Sequence, residues 1–185
     1  MKFKSSYGYF SDDGKEYIIT TPITPRPWGN VISNSDYGMM ISQTGSGYSW
    51  RGNAWQNRIT RSFQDLIKDN WGKYFYIRDL NRNTYWSAAY KPVMHPYESF
   101  SVVHGIGYSR FIQKIEDIES ELLVFVSAND PVEIFQLTLR NAGQESRELD
   151  VTSYAEWLLG FAPDEHREFH KLFIETMSLI HISEP

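Results

Sequence analysis

Apolar and polar residues alternate with a period of two through most of the chain. The clearest case is Val132 to Arg140, where Phe135, Leu137 and Leu139 interleave with Ile134, Gln136, Thr138 and Arg140, so one face is apolar and the other wet. Tyr108 to Ile115 and Ser99 to His104 form a pair joined by Gly105-Ile-Gly107, and Glu121 to Ser127 precedes the turn signal Asn129-Asp-Pro131. Further strands are expected at Glu16 to Thr21, Tyr37 to Gln43, Tyr74 to Arg78 and Tyr85 to Ser87, with Asp79 to Thr84 as a hairpin turn. Glu148 to Trp157 reads as one closing strand after the polar turn Asn141 to Arg147. Helical periodicity is scarce: only Phe63 to Lys68 and Pro163 to Phe169 suggest short turns, with Pro163 at a tolerated first-turn position. Short strands spaced roughly 8–12 residues apart and bounded by Gly, Pro and Asn indicate an all-β fold, an antiparallel β-sandwich.

A chain of 185 residues suits one domain with a sizeable core. Its 16% of aromatic residues places it among folded globular domains. The net charge of −5, mixed along the chain with no basic block, argues against sequence-independent binding to nucleic acid or an anionic membrane. There is no cysteine, which rules out a disulfide framework and thiolate metal ligands. No Asn-x-Ser/Thr sequon, no apolar signal-type segment at Met1 to Phe10 and no bilayer-length apolar run occur, so the expected location is cytoplasmic.

The run Gly45 to Arg61 carries the most chemistry. It holds two tryptophans, one tyrosine, three arginines, two asparagines and one glutamine in a glycine-rich, loop-like setting. Aromatic faces stack on the C–H faces of a pyranose, while amides and guanidinium forks hydrogen-bond its hydroxyls. The alternative is a surface hairpin whose tryptophans brace a sandwich.

Other constellations fall short. His166-Arg-Glu-Phe-His170 has its glutamate one position late for a helical zinc site. His95 and His104 lie near Glu98, Ser99 and Ser101, but no nucleophile elbow is present. Gly45-Ser-Gly47 lacks the Gly-Lys-Ser/Thr and the helix of a phosphate loop. The adjacent acids Asp12-Asp13, Glu116-Asp117 and Asp164-Glu165 read as solvated turn residues, so no catalytic residue is assigned. Ser178 to Pro185 resembles the translation of a sequencing adapter, so residues 177–185, His181 among them, are expected to be a tail outside a domain of residues 1–176 in a natural chain that continues further.

Taken in order, Tyr7-Gly-Tyr-Phe-Ser-Asp-Asp13, Thr24-Pro-Arg-Pro-Trp28, Gly47-Tyr-Ser-Trp50, Asn57-Arg-Ile-Thr-Arg61, Tyr74-Phe-Tyr-Ile-Arg-Asp79, His104-Gly-Ile-Gly-Tyr108, Asp130-Pro-Val-Glu-Ile134 and Ser153-Tyr-Ala-Glu-Trp157 carry a resemblance. The series is similar to the N-terminal region of glycoside hydrolase family 94, the inverting β-glycoside phosphorylases and the phosphorylase-like end of cyclic β-1,2-glucan synthases. The resemblance implies a supersandwich-type β domain preceding an (α/α)6 barrel that is missing here. In such enzymes phosphate attacks the anomeric carbon with inversion and releases an α-sugar 1-phosphate. The acid and the phosphate ligands sit in the barrel, so this chain alone is expected to be inactive. No cofactor is implied beyond inorganic phosphate as co-substrate. The implied partners are a β-linked oligosaccharide and a second copy in a homodimer, with neither nucleic acid nor membrane. Residues placed at the sugar by the resemblance are Trp50, Arg51, Asn53, Asn57 and Arg58, with Arg167 and Lys171 on a later loop near the acceptor. A stand-alone carbohydrate-binding sandwich is the alternative.

Overall fold

The computed structural model describes residues 4–62, 67–69, 72–162 and 174–175. They form fourteen strands and, among the described residues, no helix. The strands are β1 (Gly8–Phe10), β2 (Glu16–Ile19), β3 (Gly29–Ser33), β4 (Tyr37–Ser42), β5 (Gly47–Arg51), β6 (Arg58–Thr60) and β7 (Lys73–Asp79). They continue with β8 (Thr84–Ser87), β9 (Ser99–Gly105), β10 (Tyr108–Ile115), β11 (Ile118–Val126), β12 (Glu133–Asn141), β13 (Leu149–Ala155) and β14 (Trp157–Gly160).

One sheet has six strands in the order β1-β2-β9-β10-β11-β12, another has five in the order β14-β6-β5-β4-β3, and a third has three in the order β13-β7-β8. All of their pairings are antiparallel. One core cluster joins Val102, Phe111, Leu122 and Val124 of the six-stranded sheet to Ile32, Met39 and Ile41 of the five-stranded sheet and Ile77 and Trp86 of the three-stranded one. The six-stranded sheet is therefore one layer of a sandwich, and the other two sheets share the facing layer.

The expected alternation in β12 holds: Phe135, Leu137 and Leu139 pack on the core and the residues between them are exposed. The β9–β10 hairpin turns through Ile106-Gly107, with Gly107 at φ 84°. The β10–β11 hairpin turns through Glu116 and Asp117, both at positive φ (48° and 67°), the backbone of a primed turn in which glycine or asparagine is usual. Glu116 is held there from several sides. Its carbonyl accepts Arg147 Nη1 at 2.9 Å, and its carboxylate accepts Thr84 Oγ1 at 3.2 Å. Arg147 also reaches the fully buried Asp79 carboxylate, whose other oxygen accepts the amides of Asn81 and Arg82 at 2.8 and 2.9 Å. This pair locks the Asp79 to Thr84 turn against the β10–β11 hairpin.

Two local expectations change. The single strand expected over Glu148 to Trp157 is two strands in different sheets, β13 on β7 and β14 on β6. The break is at Glu156, whose carboxylate holds Arg61 Nη1 at 3.1 Å. The run Gly45 to Arg61 is also no single loop. Its first part is β5, a central strand of the five-stranded sheet, and only residues 52–57 connect it to β6. Of the turn expected at Phe63 to Lys68, only residues 67–68 are described, and they lie in a turn. Pro163 to Phe169, the His166–His170 segment and residues 177–185 lie outside the described residues.

Candidate functional site

The five sugar-site residues that fall among the described residues come together at one end of the five-stranded sheet. β5 pairs with β4 so that Trp50 lies directly opposite Gly38. The ring covers that glycine closely: a Cβ on Gly38 would come within 2.3 Å of Trp50 Cζ2. Trp50 is half-buried and also meets Tyr48 at 5.6 Å between ring centroids. On the other side Trp50 pairs with Arg58 of β6.

The polar side chains divide into those used internally and those that face solvent. Arg58 is buried. Its Nε donates to Ala54 O at 2.9 Å, and its guanidinium carbon lies 3.8 Å from the Tyr48 ring centroid. Burial lowers its pKa without discharging a guanidinium near neutrality. Arg51 is exposed and holds Asp36, Nη2 to Oδ2 at 3.1 Å. Asn53 folds its carboxamide oxygen back onto the amides of Trp55 and Gln56 at 2.9 and 3.0 Å, which closes the β5–β6 connection as an Asx turn. Asn57 is exposed, and its backbone ties the connection to Arg51 and Asn53. Arg167 and Lys171 lie outside the described residues.

The sequence reading missed two features beside this loop. Trp55 is 58% exposed and meets Phe161 edge-on at 5.5 Å. Phe161, Leu159 and Trp157 alternate outward just after and along β14, and Tyr154 stands on the free edge strand β13, so an exposed apolar strip runs from the loop. The outward period of Trp157, Leu159 and Phe161 is visible in the sequence, but β14 was not expected there. The second feature is a buried polar network under β5. Lys73 Nζ donates to Ser49 Oγ and to Glu133, and Ser49 Oγ donates to the same carboxylate at 2.5 Å. Burial lowers the Lys73 pKa, with Glu133 opposing that shift. Tyr37 is pushed well above its ordinary range, first by burial and then by Glu133. Ser49 is fully buried, so this serine and lysine brace the sheet junction and offer no nucleophile to solvent. A cleft of about 470 Å³ opens alongside, lined by Lys73, Phe75, Phe135, Tyr154 and Trp157 among others.

His104 is also structural. Its Nε2 donates to Trp28 O at 3.1 Å, which leaves Nδ1 to accept the Ser109 hydroxyl at 2.9 Å. Burial pulls its pKa down to about 4. Asp12-Asp13 and Glu116-Asp117 lie in turns. Among the described residues no three His, Cys, Asp or Glu gather as a metal cluster.

The model of the glycosyl hydrolase 94 supersandwich domain matches residues 15–180. The chain is 33% identical over 171 residues to the cyclic beta-(1,2)-glucan synthase NdvB of Rhizobium meliloti, covering 86% of this chain and 6% of that protein. It is 31% identical over 153 residues to the N,N'-diacetylchitobiose phosphorylase of Vibrio proteolyticus, covering 82% of this chain and 19% of that protein. It is 35% identical over 151 residues to the 3-O-beta-D-glucopyranosyl-beta-D-glucuronide phosphorylase of Paenibacillus borealis, covering 82% and 18%. The chain thus spans no more than 19% of the length of these relatives.

Proposed function

Because the chain belongs to the glycosyl hydrolase 94 family, as its supersandwich domain, we propose that it serves a phosphorylase that splits a β-linked di- or oligosaccharide with inorganic phosphate. The observation that carries this reading is the family match over residues 15–180, together with relatives that are phosphorylases of β-linked sugars. Phosphate attacks the anomeric carbon with inversion, and the departing sugar oxygen takes a proton from an acid located outside the described residues. Two observations agree with a chemical step located elsewhere. The described acid pairs lie in turns, and the buried lysine and serine are consumed by Glu133.

In this reading the domain borders the acceptor sugar. Trp50 and Trp55 offer ring faces, and Arg51, Asn53 and Asn57 offer planar polar groups at the rim. Arg58 supports them from below. Arg167 and Lys171 belong to the same acceptor side. The exposed strip of Tyr154, Trp157, Leu159 and Phe161 is the surface through which two copies pair as a homodimer.

The test is phosphate-dependent turnover. A protein carrying this domain together with its catalytic part should form a sugar 1-phosphate from cellobiose, chitobiose or a β-1,2-linked glucan, and the 185-residue chain alone should form none. Sugar release without phosphate uptake, or phosphorolysis by the chain alone, sinks the proposal.

A further inference from the structure

The outer face of the six-stranded sheet carries a groove that the phosphorolysis reading does not use. β10 sends Ser109, Phe111, Gln113 and Ile115 into the core and leaves Tyr108, Arg110, Ile112 and Lys114 on the outside. Register places Phe125 opposite Tyr108, Leu123 opposite Arg110, Glu121 opposite Ile112 and Glu119 opposite Lys114. Two clefts, of about 450 and 300 Å³, open on this face and meet at Glu121. The first is walled by Tyr108, Arg110, Leu123 and Phe125, the second by Ser99, Ile112, Lys114, Thr138 and Arg140. At roughly 3.4 Å per residue, the outer row from Tyr108 to Lys114 runs about 20 Å, room for several linked rings.

The chemistry of the groove selects its occupant. Charges of both signs are interleaved: Arg110 faces Glu16 at 3.7 Å and Arg140 faces Glu119 at 3.4 Å, so no net field would hold a polyanion. Two aromatic rings stand side by side at one end. Arg110 Nε is buried, and its hydrogen has no acceptor among the described residues. A buried donor left unpaired is costly, and an incoming hydroxyl would satisfy it.

We infer that this face is a second oligosaccharide-binding groove, which takes a neutral β-linked glucan with a pyranose on Tyr108 and Phe125 and its hydroxyls on Arg110 and Glu121. The inference rests on the reading above that the domain serves β-linked sugars. The groove lies on the layer opposite the β5–β6 loop, so it would hold a glucan chain apart from the acceptor end.

The experiment is amide NMR on the 185-residue chain, titrated to millimolar cellotetraose and, separately, linear β-1,2-linked glucotetraose. The expected result is saturable shifts confined to β9, β10 and β11, weakened about tenfold by Arg110→Ala and also reduced by Glu121→Gln if the first variant fails to fold. Shifts only in residues 50–58 would overturn the groove and leave the acceptor reading intact, as would no shifts with either sugar. Shifts of the β10 and β11 amides on concentrating the protein without sugar would make the face a contact between copies and also overturn the groove. The phosphorolysis reading stands or falls separately, on the turnover assay.

Discussion

The guanidinium of Arg58 stacks 3.8 Å over the ring of Tyr48 while its Nε is fixed to the carbonyl of Ala54. Strand β6 is only three residues long, so this contact anchors the end of β5 and the loop that carries Trp55. Arg58→Ala should lower the unfolding free energy by about 2 kcal/mol, the sum of a desolvated cation–π contact and a charge-assisted hydrogen bond less some relaxation. Arg58→Lys should recover only part, because an ammonium keeps the charge and loses the flat stack. Urea midpoints check this; an unchanged midpoint for Arg58→Ala would remove the support role.

The two loop tryptophans should separate. Trp55 is 58% exposed, so Trp55→Ala should move stability by no more than about 0.5 kcal/mol, yet raise KM for the acceptor sugar by the loss of one stacking face, about 1–2 kcal/mol. Trp50 seals the Gly38 backbone, so Trp50→Ala should cost both stability and acceptor binding. If thermal denaturation and acceptor kinetics move together for both variants, the division between rim and support fails.

What was legible in the sequence follows from how local the causes are. β9 to β12 stand out because period-two apolar residues are bounded by turn formers at Gly105-Ile-Gly107 and Asn129-Asp-Pro131. β5 was hidden because its inward residues include Ser49, flanked by arginines, asparagines and glycine, a composition that locally signals a loop. The partner that lets Ser49 be buried, Glu133, is 84 residues away. The split between β13 and β14 is equally non-local. The chain exchanges β7 for β6 as its neighbour at Glu156, and nothing in Tyr-Ala-Glu-Trp announces it. The candidate loop was therefore found by composition, while its neighbours Phe161 and Trp157 were supplied by the pairing of β14 with β6.

Lys73 and Glu133 form an ion pair with both side chains mostly withdrawn from water, 10% and 15% exposed. Removing one partner leaves the other charge desolvated, so Lys73→Met should destabilise by about 3 kcal/mol. The double variant Lys73→Met, Glu133→Leu should regain most of that loss, because the Phe75 and Phe135 surroundings accept apolar chains. Denaturant unfolding of the four proteins of this cycle gives the coupling. Additive losses would show that the pair is solvated in practice.

His104 sets the acid limb of stability. Its folded pKa of about 4 lies below the unfolded 6.5, because burial between Trp28 O and Ser109 disfavours the cation. Above pH 6.5 the ring is neutral in both states and contributes no slope. As pH falls from 6.5 towards 4, the unfolded chain gains a proton that the folded chain refuses, so stability drops, by up to about 3 kcal/mol. The carboxylates held below their ordinary values, Asp13 by Ser11 and Glu98 by Lys114, act only at the lower end, beneath 4.5. Urea midpoints measured from neutral pH down to about pH 5 should therefore fall in the wild type and stay nearly level in His104→Gln, with the two proteins converging in slope below 4.5. A wild-type slope that persists unchanged in His104→Gln would assign the acid sensitivity to other groups.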